Sequence, residues 1–216
     1  MPINTKNYAI ETDVVHAGVS PDPSTGAIMT PIYATSTYVQ ESPGKHKGYE
    51  YSRTGNPTRH AFEASMTALE QGSTGFAFAS GMAAINTVLE LLGPNDHIIV
   101  MDDLYGGTNR LFQQVKMQSP GLTVSFVDLT NLEALENTLT DKTRMIWVES
   151  PSNPMLKVVD LTKIAKFAQK HQLISVCDNT FASPIIQQPL TLGFDIVVHS
   201  VTKYLNGHSD MVGGVV

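Results

Sequence analysis

The sequence predicts an α/β fold: a mainly parallel sheet with helices on both faces. Two observations carry that expectation. From residue 74 onward, short apolar runs alternate with stretches of helical period, the rhythm of βα units. In addition, Gly81, Tyr105, Asn153, Asp178, Ser200 and Lys203 each fall just after a predicted strand. Ligands of such sheets bind beyond the carboxyl ends of the strands. Residues 1–57 have a different texture, rich in Pro, Gly, Ser, Thr and Tyr. Pro21, Pro23, Pro31, Pro43 and Pro57 break any long element there. They read as an extended arm with short helical turns. Such an arm buries little of its own surface, so it is expected to lie on a neighbouring subunit, with residues 58–216 forming the main domain.

The elements follow in order. Arg59 to Gln71 predicts a helix, with Phe62, Met66 and Leu69 on one face and Gly72 as its stop. Gly75 to Ala79 predicts a strand. Ser80-Gly81-Met82 opens the next helix, Ala83 to Leu92, closed by Gly93-Pro94. A strand, a Ser-Gly turn and a helix start present free backbone N–H groups at the positive end of a helix dipole, an arrangement suited to an anion. Many strand-to-helix turns contain glycine, so an ordinary turn stands beside that reading.

His97 to Met101 is the next strand, then a loop from Asp102 to Thr108 and a helix to about Gln118. Tyr105, between a strand end and two glycines, could lay its ring against a ligand or be a plain loop tyrosine. Leu122 to Val127 is a strand, Asn131 to Leu139 a helix and Arg144 to Val148 a strand. The following Glu149-Ser-Pro-Ser-Asn-Pro154 is a rigid turn that holds Asn153 in an extended setting. Asp160 caps a helix running to Lys170.

Leu173 to Cys177 is an apolar strand ending in Asp178-Asn179-Thr180. A carboxylate there is costly to ionise without a cationic partner, such as a protonated ring nitrogen; otherwise Asp178 caps the next turn. Asp195 to Ser200 is a strand that delivers Ser200, Thr202 and Lys203 into one polar turn. Two hydroxyls can hold phosphate oxygens, and an amine can form an imine with an aldehyde. Taken alone, Lys203 reads first as a solvated surface lysine. Met211 to Val216 predicts a last strand. Upstream, Arg53 lies among tyrosines before a Gly-Asn-Pro turn. It either reaches out to an anion or is a solvated turn residue.

Composition removes other classes. With 216 residues, 42% hydrophobic and 16% charged, the chain can build one large core. A net charge of −6 without a basic block gives no support to nucleic-acid or anionic-membrane binding. The single cysteine, Cys177, fits a reducing compartment and reads as a small core residue. No apolar run approaches the roughly 20 residues of a membrane span. Met1 to Glu11 lacks the plan of a secretory signal, so the cytoplasm is the expected location. Neither G-x-G-x-x-G nor G-x-x-x-x-G-K-[ST] occurs, and Gly207-His-Ser-Asp-Met211 lacks one glycine of a nucleophile elbow. Scattered histidines without a Cys pair or H-E-x-x-H argue against a metal.

Six segments carry a resemblance. They are Glu50-Tyr-Ser-Arg-Thr-Gly-Asn-Pro-Thr58, Ala79-Ser-Gly-Met82, Tyr105-Gly-Gly-Thr-Asn-Arg110, Glu149-Ser-Pro-Ser-Asn-Pro154, Val176-Cys-Asp-Asn-Thr180 and Ser200-Val-Thr-Lys-Tyr-Leu-Asn-Gly-His208. Together they resemble the pyridoxal 5'-phosphate (PLP) enzymes of cysteine and methionine metabolism, the transsulfuration family. The resemblance implies a PLP-dependent transferase-like fold (fold type I, aspartate aminotransferase-like). It also implies that the smaller C-terminal domain is absent, since the chain ends thirteen residues after Lys203.

Carried over residue by residue, it implies that Lys203 holds the cofactor as an imine and Asp178 pairs with its pyridine N–H. Tyr105 would stack on the ring, and Asn153 would approach its phenolic oxygen. Gly81, Met82, Ser200 and Thr202 would bind the phosphate. Tyr51 and Arg53 would reach the phosphate of a neighbouring subunit in a dimer, usually within a homotetramer. The implied substrate is a small sulfur amino acid. The stretch Met101 to Arg110 is most similar to the γ-lyases, which cleave L-cystathionine to L-cysteine, 2-oxobutanoate and ammonia. The family's β-lyase and γ-synthase activities are alternatives, as is a truncated, catalytically silent subunit. The 216-residue chain by itself is expected to bind the cofactor poorly or turn over slowly.

Overall fold

The computed structural model describes residues 8–216, which form two compact units, one up to Ala77 and one of Phe78–Val216. The first unit holds helices α1 (Ile10–His16) and α2 (Pro57–Leu69). The segment between them carries only isolated bridges, among them Thr37 against Tyr51. Helix α2 starts two residues earlier than its apolar period predicts, because Asn56 caps it and Pro57 fits the first helical position. Asn56 accepts from Thr58 N at 2.9 Å and donates through Nδ2 to Tyr33 O at 3.0 Å. Arg59 donates to Ser52 O at 2.8 Å, which ties the Tyr-Ser-Arg turn to the helix.

The second unit is a sheet flanked by helices. Its strands are β1 (Ala77–Phe78, at the junction), β2 (His97–Met101), β3 (Thr123–Val127), β4 (Thr143–Glu149), β5 (Ile174–Asp178), β6 (Ile196–Ser200) and β7 (Gly214–Val215). The helices are α3 (Gly81–Leu89), α4 (Gly106–Leu111), α5 (Leu132–Thr138), α6 (Leu161–Lys170) and α7 (Ser183–Ile186). Strand order is β1-β7-β6-β5-β4-β2-β3. The pairs β2–β3, β2–β4, β4–β5 and β5–β6 are parallel. From β3 through β6 the chain steps one way across the sheet, so right-handed crossovers set α5 and α6 on one face. The step from β2 to β3 runs the other way and sets α4 on the opposite face, where α3 packs against it. The central strands are therefore covered on both sides. Ile98, Ile99, Val100 and Met101 of β2 and Met145, Ile146, Trp147 and Val148 of β4 are fully buried, which is why they read as unbroken apolar runs.

Several boundaries depart from the sequence reading. The predicted strand Met211–Val216 pairs only at Gly214–Val215, and antiparallel to β6. The connection from β6 carries no crossover helix, as is usual between antiparallel rather than parallel neighbours. Gly75–Ala79 is regular only at Ala77–Phe78. The helix after Tyr105 is α-helical to Leu111 and then makes one π turn, Phe112–Lys116. Phe112 is fully buried there, edge-on to Phe126 at 6.4 Å and Trp147 at 6.2 Å. The β5–β6 connection holds only α7 and a 3-10 turn, Pro189–Leu192, because Pro184 and Pro189 limit helix extension. No helix among the described residues is long and apolar enough to cross a membrane.

At the opposite end from the strand carboxyl termini, His97 ties three strands together. Its Nδ1 meets Thr143 Oγ1 at 2.7 Å and its Nε2 meets Ser125 Oγ at 3.0 Å, with the residue 2% exposed. Burial holds the imidazole pKa below its ordinary value. The unfolded chain therefore binds a proton that the folded chain refuses as pH falls below about 6.5. Its contribution to stability is present above that pH and is lost as pH falls toward the folded value. Denaturant melts at a series of pH values should show this slope in the parent protein. In His97→Gln the slope from this group should vanish, with midpoint stability about 1–2 kcal/mol lower at pH 7.

Candidate active site

Parallel strands ending together put their last residues on one rim. In register, Glu149 of β4 lies beside Asp178 of β5, and Asp178 pairs with Val198 of β6, two residues before Ser200. Glu149, Asp178 and Ser200 all line one cavity of about 200 Å³. The neighbouring backbone fixes the rim. Thr180 N donates to Asp178 Oδ1 at 3.1 Å, and Ser200 N donates to Thr180 Oγ1 at 2.8 Å.

A second wall is the start of α3. Ser80 caps this nine-residue helix by accepting from Ala83 N at 3.1 Å. Gly81 is needed by close approach: a Cβ there would lie 2.7 Å from Ser200 Cβ and 2.9 Å from Ser200 Cα. The first turn of α3 is thus pressed onto the end of β6. Its leading N–H groups, which have no intrahelical acceptor, sit beside the Ser200 hydroxyl. Gly81, Met82 and Ser200 line the cavity together, as does Thr202, which exchanges hydrogen bonds with the backbone of Gly213.

The third wall comes from the loops after β2 and β4, where the order of strand connections reverses. Such a switch point is where open α/β sheets leave a crevice. Tyr105 and Asn153 line it from the two sides. Tyr105 is 42% exposed, and Gly107 leaves room for its ring. A Cβ at Gly107 would come within 2.5 Å of the ring and 3.1 Å of Met82 Sδ. The Ser150-Pro151 and Asn153-Pro154 peptide bonds are cis. Lys203 borders this cavity and also a wider depression formed with Tyr204 to Val212. Among the described residues its Nζ makes no ion pair.

Electrostatics distinguish this rim from an ordinary strand edge. Asp178 is 6% exposed, and burial pushes its pKa above the ordinary value against the Thr180 hydrogen bonds and the neighbouring His199. Glu149, 5% exposed, is pushed up to about 8, first by burial and then by the Asp178 charge, against the N–H groups of Tyr105 and Asn153. Among the described residues neither carboxylate has a lysine or arginine partner. Two adjacent buried acids, an uncommitted amine, hydroxyls and a helix start surround one cavity. That donor set fits a ring with a protonated nitrogen at one end, an aldehyde and a phosphate.

Eight of the ten residues singled out from sequence line this cavity: Gly81, Met82, Tyr105, Asn153, Asp178, Ser200, Thr202 and Lys203. Tyr51 and Arg53 belong to the first unit and are not among the lining residues. There the Arg53 guanidinium lies 5.1 Å from the Tyr51 ring centroid. Sequence reasoning passed over Glu149, Thr180, Phe181 and Val212, which line it too. Glu149 carried the signal that marked Asp178, a carboxylate straight after a buried strand.

Known proteins place this geometry in context. The chain is 63% identical to the cystathionine β-lyase of Coxiella burnetii (strain RSA 493 / Nine Mile phase I), over 98% of this chain and 55% of that protein. It is 50% identical to the cystathionine γ-lyase of Bacillus subtilis (strain 168), over 95% of this chain and 54% of that one. The solved structure of cystathionine γ-lyase from Lactobacillus plantarum complexed with L-serine superposes with a TM-score of 0.93. It is 53% identical, over 96% of this chain and 54% of the other. The chain thus spans about half the length of the curated relatives it matches. Residues 11–216 match the family described as Cys/Met metabolism PLP-dependent enzyme, and the chain belongs to that family.

Proposed function

We propose that this chain supplies the cofactor-holding part of a PLP-dependent carbon–sulfur lyase that cleaves L-cystathionine by γ-elimination to L-cysteine, 2-oxobutanoate and ammonia. The observation that carries the reading is that Lys203 and the buried Asp178 border one cavity at the ends of neighbouring parallel strands. In this reading Lys203 Nζ anchors the cofactor's aldehyde. Asp178 faces the ring nitrogen and holds its proton there, a cation that in turn favours the ionised carboxylate. Tyr105 would stack on the ring and Asn153 would approach its phenolic oxygen. The Gly81 and Met82 N–H groups and the Ser200 and Thr202 hydroxyls hold the phosphate. When bound, PLP supplies an electron sink for the charge left as a proton leaves the substrate's α-carbon. Lys203 Nζ would also be the base placed to take that proton.

A second reading, β-elimination to L-homocysteine, pyruvate and ammonia, is favoured by the 63% identity to a cystathionine β-lyase. In either case residues 1–57 act as an arm on a neighbouring subunit. Tyr51 and Arg53 there would reach that subunit's phosphate within a homotetramer. The exposure of Val14, Val15, Ile28, Met29, Ile32 and Val39 supports this, since a lone subunit would leave them in water.

Borohydride reduction after PLP loading should place the adduct on Lys203 by peptide mass spectrometry, and Lys203→Ala should lose both adduct and visible absorbance. An adduct on another lysine would overturn the assignment. Asp178→Asn should weaken PLP binding on the order of tenfold or more, because a desolvated charge pair is broken. Incubation with L-cystathionine separates the two reactions: 2-oxobutanoate with cysteine marks the first, pyruvate with homocysteine the second. Sedimentation should show an oligomer. Arg53→Ala should lower PLP affinity in that oligomer, and restoration by mixing with a Lys203→Ala subunit would identify a site shared between subunits.

A further inference from the structure

Glu149 joins the two loops that hold the proposed ring contacts. Its Oε2 accepts from Tyr105 N at 3.0 Å and its Oε1 accepts from Asn153 N at 2.8 Å. Tyr105 follows β2, Asn153 follows β4, and these are the strands that flank the switch point. Each oxygen serves one loop, so the carboxylate bridges the crevice while its side chain forms part of the cavity wall. We infer that Glu149 is a positioning residue, whose two oxygens set the spacing of Tyr105 and Asn153 across the crevice for the ring proposed to lie there. The inference rests on the function proposed above, which leaves Glu149 without a role.

A second carboxylate stitches the same two loops and shows what is particular to Glu149. Asp103 accepts from Ser152 Oγ and from Met155 N, the latter at 2.9 Å, and both bonds go to its Oδ2. Asp103 does not line the cavity. An asparagine there can present one oxygen and keep both bonds. A glutamine at position 149 cannot, since its single oxygen serves one N–H and its NH2 group confronts the other. An aspartate, one methylene shorter, keeps the charge but loses the reach. Burial and the Asp178 charge hold Glu149 up at about 8, so a cation against Asp178 would favour its ionised form with two good acceptors. Filling the site and tightening the bridge would then support each other.

The experiment compares the parent with Glu149→Gln, Glu149→Asp and Asp103→Asn. Two readouts are used: PLP affinity from the absorbance of the loaded chromophore, and amide hydrogen exchange of the unloaded proteins above pH 8, where the Glu149 carboxylate is ionised. Expected are at least about tenfold weaker PLP binding and about tenfold or faster exchange at Tyr105 or Asn153 in both Glu149 variants, with Asp103→Asn near the parent. Parent-like affinity and exchange in Glu149→Gln would overturn the inference, as would an equal loss in Asp103→Asn. A parent without an adduct on Lys203 would instead remove the proposed function, and exchange in the unloaded protein would still decide whether Glu149 sets the two loops. Should Glu149→Gln lose cooperative unfolding, Glu149→Asp decides by the same two readouts.

Discussion

A carboxylate on the end of a buried parallel strand is an unfavourable object until something positive is placed against it, and this site holds two. Glu149 and Asp178 are register partners on adjacent strands, and both are nearly inaccessible. Burial raises both pKa values, and the charge of Asp178 raises Glu149 further. A packed sheet edge evolved only for stability would carry apolar or hydrogen-bonding neutral groups at these positions. The cost is understandable where a cationic heterocycle is to be held. The same low-dielectric rim that penalises the bare acids strengthens their interaction with such a ring.

The rest of the second unit brings other groups to that rim. The reversal of connection order between β2 and β4 opens a crevice, and Tyr105 and Asn153 stand on its sides. Helix α3 approaches the end of β6 closely enough that only glycine fits at position 81. A helix start and the Ser200 hydroxyl thereby converge on one spot, a good place for an anion. The cation-seeking acids and the anion-seeking helix start lie on different walls of one cavity, a polarity that suits a ligand cationic at one end and anionic at the other. Lys203 reaches this cavity from the turn after β6, the strand next to that of Asp178.

Much of this was legible in the chain itself. The unbroken apolar runs of β2 and β4 announced strands covered on both faces, and Asp160 accepts a backbone N–H at the start of α6, as its place before the apolar period predicts. Less legible were features decided at a distance. The π turn at Phe112–Lys116 accompanies a buried Phe112 packed against β3 and β4, and no local period encodes that. The short antiparallel β7 depends on pairing with His199 and Ser200 rather than on its own apolar content. Glu149 looked like the first residue of a proline turn. Its significance lies in accepting from two loops, one of them 44 residues earlier in the chain.

Sequence alone determined the βα alternation, the Asp160 cap and the kinds of group at the strand ends, because these depend on near neighbours: periodicity, a capping side chain, and glycine and proline at turns. It also marked Lys203, Asp178 and Tyr105 as chemically suggestive, though each also had an ordinary reading, which for a lone Lys203 came first. Tertiary structure decided which of these groups share a cavity, which strands flank the crevice and which acids are buried side by side. Strand order and register are set by the packing of whole layers, and that packing makes an acid costly, a glycine indispensable or a lysine available for chemistry.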